Sequence, residues 1–266
     1  MGGGYGLGDM EEGKREGKWT FYRDDDTKES EGNFENDLAV GEWRFYHEND
    51  SLEEVSEWTD GLINGAITKY YENGQVEFTG NYIMDRKWGL WTFYDEDGNR
   101  VARGSYENGF KDSLWEFWYT NGVLKAQNEF QDSLPHGIIK EWYESGRLKT
   151  EGAYRYGRQH GLWKHYYSYG ETQEISKWVN GVLDSVSTTF WQNGNKKFEG
   201  NYLYGKENGK VTYWFETGEL QIEGQYVNGV QDGVFTYYLK SGAIDVQFEY
   251  DMGVPVKDEQ EKKVSD

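Results

Sequence analysis

Apolar and polar residues alternate along most of the chain, and turn residues interrupt this alternation at short intervals. In residues 90–106, LWTFYDEDGNRVARGSY, Trp91 and Phe93 lie two positions apart, and Asp97-Gly98 separates two runs of alternating residues. Alternation with a period of two predicts β-strands that bury one face, and a short turn between two runs predicts a β-hairpin. The pattern therefore predicts an all-β chain.

The same pattern recurs every 24 residues. An aromatic residue follows each repeat start after five residues, and another follows after seventeen residues. This periodicity predicts ten repeats in residues 17–254, after an N-terminal half-repeat or cap in residues 1–16. Residues 255–266 are charged and aperiodic, which predicts a disordered tail. The ten repeat starts are Gly17, Gly41, Gly65, Gly89, Ser113, Gly137, Gly161, Ser185, Gly209 and Gly233.

Asn-Gly and Asp-Gly pairs are predicted to close the hairpin inside each repeat. A two-residue type I′ turn needs positive φ at both of its residues, which these pairs tolerate. That register places Trp91 opposite Gly104 and Gly89 opposite Tyr106, so that each large ring covers the bare backbone of a cross-strand glycine. The pairs are Asn73-Gly74, Asp97-Gly98, Asn121-Gly122 and Asn193-Gly194.

The register also sorts the side chains of each repeat onto two faces. One face is apolar and carries the large rings and the glycines. The opposite face is polar and carries mainly Thr, Lys, Glu and Gln, together with the aromatic residue that lies five residues after each start. Twenty strands spaced by about 4.8 Å would extend over roughly 95 Å, which is too long for one small barrel. We therefore predict an elongated, twisted, mostly single-layer antiparallel sheet of stacked β-hairpins. In the fourth repeat the apolar face contains Gly89, Trp91, Phe93, Ala102, Gly104 and Tyr106.

The composition limits the classes of partner. The 266 residues include 28 basic and 48 acidic side chains, and the net charge of −20 argues against nucleic-acid binding and against binding to anionic membrane lipids. The 12 Trp, 22 Tyr and 13 Phe predict a folded chain with an aromatic core. Cysteine is absent, which excludes disulfides and thiolate metal sites. The N-terminus lacks the basic and apolar segments of an export signal, which favours a cytoplasmic location.

Motifs for catalysis or metal binding are sparse. The chain has no Walker-type loop and no HExxH motif. His136 and His160 occupy equivalent positions in adjacent repeats, two strands or about 10 Å apart, which is too far for them to share a zinc ion. The acidic turn at Asp24-Asp25-Asp26 lacks the remaining ligands of a calcium-binding loop. We expect no enzyme activity, no cofactor and no required metal.

Units such as GLWTFYDEDGNRVARGSYENG resemble the variant form of the MORN (membrane occupation and recognition nexus) repeat. They share its start glycine, aromatic pair, turn glycine, Gly-x-Tyr and closing Asn-Gly, although each unit is one residue longer than the usual MORN unit. The resemblance covers residues 8–253 and implies stacked hairpins in an extended sheet. It also implies an antitoxin-like role, because the variant is common in bacterial proteins with that label. Such repeats mostly serve as interaction scaffolds.

The aromatic residues five positions after each start lie on the polar face and are here called the outer aromatic column, and six of them are the candidate partner-binding residues. They either form a ladder that stiffens the polar face or provide a strip that contacts a ligand. We predict a non-enzymatic scaffold that binds a protein partner with a basic surface. The alternative is a carbohydrate or cell-wall binding module of the choline or glucan type, because those repeats also combine Gly with Trp and Tyr. The candidate residues are Tyr94, Trp118, Trp142, Tyr166, Phe190 and Trp214.

Overall fold

The computed structural model describes residues 4–256, so most of the predicted tail, residues 257–266, lies outside the described part. The described residues form 23 β-strands and no helix, and all strand pairs are antiparallel, which confirms the predicted fold class. Accordingly, residues 4–256 contain no helix that could span a membrane. The chain divides into two compact units, Met1–Leu134 (unit 1) and Pro135–Asp266 (unit 2).

Unit 1 is an antiparallel meander in which consecutive strands of the unit pair with each other. Its strands are β1 (Tyr5–Glu11), β2 (Lys14–Tyr22), β3 (Lys28–Glu35), β4 (Leu38–Tyr46), β5 (Leu52–Thr59), β6 (Leu62–Tyr70), β7 (Val76–Ile83), β8 (Arg86–Tyr94), β9 (Arg100–Glu107), β10 (Phe110–Trp118) and β11 (Leu124–Gln131).

Unit 2 repeats the same meander, with one strand interrupted at Asp184. Its strands are β12 (Leu134–Trp142), β13 (Leu148–Arg155), β14 (Arg158–Tyr166), β15 (Thr172–Val179), β16 (Val182–Leu183), β17 (Ser185–Phe190), β18 (Lys196–Leu203), β19 (Lys206–Trp214), β20 (Leu220–Val227), β21 (Val230–Tyr238), β22 (Ile244–Asp251) and β23 (Val254–Pro255).

The turns inside the repeats differ from the predicted type I′ turns. Only the glycine of each Asn-Gly or Asp-Gly pair has a positive φ, as at Gly98 with 83°, whereas Asp97 does not. Gly98 N donates to Asp95 O, and Asp95 N donates to Asn99 O, which makes a three-residue loop. The prediction was wrong here, because a type I turn followed by one left-handed residue accommodates the same dipeptide.

The type I′ geometry occurs instead in the turns between repeats. Asn108 and Gly109 have φ angles of 51° and 87°, and Asn180 and Gly181 have 52° and 83°. In the first of these turns Glu107 and Phe110 are the closing pair, so two residues connect β9 to β10. Each repeat is thus joined to the next by a tight turn, and the strands form a continuous meander within each unit.

The predicted pairing of Trp91 with Gly104 is confirmed at the level of the backbone. The ring that covers Gly104, however, belongs to Trp115 of the next repeat, and a Cβ at Gly104 would overlap its Cδ2 atom. Trp91 likewise covers Gly80 of the preceding repeat, and its indole donates to Asn81 O at 3.2 Å. A bulge at the start residue, where Gly89 has a φ of 67°, redirects each ring across the turn between repeats.

These rings form the core on the apolar face. Trp91 is 0% and Trp115 is 1% exposed. The edge of Tyr106 packs on Trp115 with 5.0 Å between ring centroids, and Phe93 lies 6.1 Å from the same indole. Because Trp115 contacts two rings of the preceding repeat, aromatic packing joins these adjacent repeats. The buried residues two positions after the starts are Trp43, Ile67, Trp91, Trp115, Trp163, Ser187, Val211 and Phe235.

Candidate functional site

The outer aromatic column lies on the polar face of both units. Tyr94 and Trp118 belong to unit 1, and the other four candidates belong to unit 2. All six side chains are half-buried. The sheet therefore places the candidate residues at equivalent positions of successive hairpins, and none of them is among the exposed aromatic side chains.

Three tyrosines of this column bind a glutamate of the preceding repeat. The hydroxyl of Tyr166 donates to Glu151 at 2.8 Å, and that of Tyr46 donates to Glu31 at 2.6 Å. The hydrogen bond from Tyr46 lowers the pKa of Glu31 to about 2, while burial and the Glu31 carboxylate raise the pKa of Tyr46 to about 12. Tyr238 and Glu223 form the third pair. These pairs hold an ionised carboxylate against the column.

Other members of the column contact a cation of the preceding repeat. The guanidinium of Arg100 lies 3.9 Å from the ring centroid of Trp118, and the ammonium of Lys196 lies 5.4 Å from that of Trp214. At these distances the cation is attracted to the ring face. Part of each ring is therefore occupied by a neighbouring repeat.

The backbone of the column is also held by side chains from the preceding repeat. Tyr71 donates to Tyr94 O at 2.8 Å, Tyr143 donates to Tyr166 O at 2.7 Å, and Trp191 donates to Trp214 O at 3.1 Å. These contacts favour the interpretation of the column as a ladder that stiffens the polar face. Partner binding by its six residues stays a prediction.

A second column on the polar face was missed by the sequence reasoning. It consists of the first residue after the start in six repeats, where the side chain is aliphatic and 43–55% exposed. We call it the exposed aliphatic column. The alternation pattern contained this signal, because these positions are apolar on the face that is otherwise polar. Its members are Leu90, Leu114, Ile138, Leu162, Val186 and Val234.

The two units differ strongly in charge. Residues 1–134 contain 13 basic and 29 acidic side chains, a net charge of −16, whereas residues 135–266 contain 15 basic and 19 acidic side chains, a net charge of −4. In unit 1, Leu114 lies opposite Glu129, with Asp112 and Glu116 on either side of it along β10. Leu114 is thus surrounded by carboxylates, whereas Leu90 lies opposite Ser105.

The histidines and acidic turns form no cluster that could hold a metal ion among residues 4–256. His136 and His160 lie on β12 and β14, and β13 separates their strands within the sheet of unit 2. The Asp25 carboxylate accepts hydrogen bonds from Thr27, and the Asp95 carboxylate accepts them from the backbone of Asp97 and Asn99. These carboxylates stabilise their own turns.

Six segments of the chain match the family model described as MORN repeat variant. They are residues 39–60, 63–84, 89–108, 111–132, 135–156 and 207–228. The match confirms the resemblance for these six repeats. The count of ten repeats and the antitoxin-like role stay predictions.

No curated protein matches the chain. Two similar solved chains are found in "Crystal Structure of TcdB2-TccC3" and "Crystal Structure of TcdB2-TccC3-Cdc42". Each is 10% identical to this chain and aligns with 88% of it, with TM-scores of 0.15 and 0.14. The alignments cover 18% and 17% of those chains, so this chain spans less than a fifth of their length.

Proposed function

We propose that the protein is a non-enzymatic repeat scaffold, and that the polar face of unit 1 binds a protein partner with a basic surface. The observation that carries the proposal is the exposed aliphatic column, in which Leu90 is 47% and Leu114 is 45% exposed. Apolar side chains in register on a solvent-facing sheet are typical of a protein-interaction surface.

The charge of unit 1 supports a basic partner. A net charge of −16 attracts cationic surfaces over a distance comparable to the Debye length, which is about 8 Å at physiological salt. The carboxylates of Asp112 and Glu116 flank Leu114 on the same face of β10. A partner that presents an apolar side chain between Lys or Arg residues would satisfy both features.

The scaffold role is also supported by the six matches to the MORN repeat variant, which is not a known enzyme family. Sugar binding needs aromatic faces open to a ring, whereas Arg100 covers Trp118 and Lys196 covers Trp214. No contact described above favours an antitoxin-like role. Neither sugar binding nor that role is therefore part of the proposal.

Capture from cell extract by the immobilised protein tests the proposal. We expect wild type to enrich basic proteins at about 50 mM salt and to lose them at about 500 mM, because salt screens the attraction. The variant Leu90→Ser with Leu114→Ser should retain severalfold less of the same proteins, as quantified by mass spectrometry. Both side chains are exposed, so the free energy of unfolding should change by less than about 0.5 kcal/mol per site.

Leu7→Ser is the matched control. Leu7 is 58% exposed and lies opposite Thr20 on the polar face of unit 1, away from the exposed aliphatic column. The variant Leu7→Ser should capture the same amount of basic proteins as wild type. Equal capture by wild type and the double variant would contradict the proposed surface, and salt-independent retention on choline or glucan resin would favour the carbohydrate alternative.

A further inference from the structure

Basic side chains converge on the polar face of β12–β15 in unit 2, although the chain as a whole is strongly acidic. Cross-strand pairing aligns Lys140 with Glu151 and Glu151 with Lys164, which makes one row across three strands. Arg155 pairs with Arg158, which makes a second row four residues further along β13 from Glu151. Lys177 adds a fifth cation opposite Leu162.

Acidic side chains are nearly excluded from this surface. Glu151 is the one carboxylate among the described residues of β12–β15 that points to the polar face, and it already contacts Lys164 at 3.4 Å and Tyr166 at 2.8 Å. Lys140, Arg155, Arg158 and Lys177 form no ion pair within 4.0 Å in residues 4–256. In a chain with 48 acidic and 28 basic residues, this leaves a local excess of positive charge.

Apolar side chains lie between the two basic rows. Ile138 pairs with Ala153, and Leu162 lies two residues from Lys164 on β14. Ile138 is 55% and Leu162 is 54% exposed. Residues two apart on a strand are about 6.8 Å apart, so Lys164 lies at that spacing from Leu162 and Arg155 lies at that spacing from Ala153. His160 lies opposite Ala153, between Leu162 and Arg158 on β14.

We propose that the polar face of β12–β15 binds an acidic segment of a protein, in an extended conformation, with carboxylates at positions i and i+4 and an apolar side chain at i+2. The i+2 side chain would pack on Leu162 and Ala153. The two carboxylates would reach the Lys140–Lys164 row and the Arg155–Arg158 row. This surface goes beyond the proposed function, because its partner has the opposite charge from the partner proposed for unit 1.

Charge complementarity favours a short acidic segment over a nucleic acid or an anionic membrane. Three strand spacings of about 4.8 Å make the basic surface roughly 14 Å wide, which is less than two Debye lengths of about 8 Å in physiological salt. A polyanion would extend beyond it onto a chain whose net charge is −20. A segment with two carboxylates stays within the basic surface.

The test uses the full chain and a labelled, end-capped peptide, Glu-Ser-Leu-Ser-Glu, with binding measured by fluorescence anisotropy. We expect Arg155→Gln with Arg158→Gln to weaken binding by at least about fivefold, because two unpaired cations are lost. The peptide Lys-Ser-Leu-Ser-Lys should not bind to this surface, and Glu-Ser-Ser-Ser-Glu should bind severalfold more weakly because its apolar side chain is missing.

Lys206→Gln with Lys210→Gln is the matched control. Both lysines are exposed on the polar face of unit 2, Lys206 is at the repeat position of Arg158, and their removal changes the net charge equally. This control should change affinity by less than about twofold. Equal losses for the two double variants would overturn the proposal, as would absence of peptide binding together with binding to phosphatidylcholine–phosphatidylserine vesicles. Failure of capture by unit 1 would not affect this measurement.

Discussion

At the residue scale, the second strand of most repeats carries Gly or Ser at one core position. Which of the two is present depends on the size of the core side chain that the next repeat places over it. In unit 1, the indoles of Trp91 and Trp115 cover Gly80 and Gly104 of the preceding repeat. Ser56, by contrast, lies opposite the smaller Ile67. Ser56 is 0% exposed, so its side chain takes space that an indole fills elsewhere. In unit 2, Gly200 faces Val211, and the ring of Phe198 covers it instead. The side chains that meet across the turn between two repeats are thus complementary in size.

Gly104→Ala should therefore destabilise the protein through Trp115 and not through Trp91. We expect a loss of about 1–3 kcal/mol in the free energy of unfolding, because the added methyl overlaps a buried indole. In a double-mutant cycle by chemical denaturation, Trp115→Ala should remove most of this cost. Trp91→Ala should give a nearly additive effect, and coupling to Trp91 alone would contradict the observed ring placement.

At the element scale, two different turns alternate along each meander. The turn inside a repeat has one left-handed residue, as at Gly98, whereas the turn between repeats has two, as at Asn108 and Gly109. The type I′ turn matches the twist of its flanking strands, and the three-residue loop adds a bulge. The bulge explains why Tyr94 pairs with Arg100 and not with Val101.

This difference predicts unequal costs for the same substitution at two turns. Asn108→Ala forces alanine into a left-handed conformation and should cost about 1 kcal/mol. Asp97→Ala leaves a residue with negative φ and should cost less than about 0.5 kcal/mol. Thermal or urea unfolding measures both. Equal costs would mean that the turn at Asp97 also requires two left-handed residues, as the sequence reasoning expected for the turn inside a repeat.

At the scale of the whole molecule, charge is distributed unevenly along the chain. Unit 1 has a net charge of −16 and unit 2 has a net charge of −4. Like charges that are not paired destabilise a folded unit, and salt screens their repulsion. The acidic unit should therefore respond more strongly to ionic strength than the nearly balanced one.

Hydrogen exchange of the full chain tests this difference. Raising sodium chloride from about 20 to about 200 mM should slow exchange in β3–β5 of unit 1 by about threefold or more. Exchange in β13 and β14 of unit 2 should change by less than about half as much. A uniform change across both units would show that charge repulsion within unit 1 has little influence on its stability.

The strand positions and the two faces could be predicted from sequence, because they depend on local alternation and on a period that repeats without insertion. Trp91, Phe93 and Tyr106 were placed on the correct face for this reason. The outer aromatic column was located by the same reasoning. The contacts of this column with Glu31, Glu151 and Arg100 could not be predicted, because they join one repeat to the preceding one.

The tertiary structure alone decided which repeat each side chain contacts. Bulges at the start residues shift the register between repeats, so the ring over Gly104 comes from Trp115 although Trp91 is its backbone partner. The same pairing places Lys140 of β12 and Lys164 of β14 in one row on either side of Glu151. Side-chain spacing within one strand is set by local geometry, whereas proximity between strands depends on bulges and turn types that alternation does not encode.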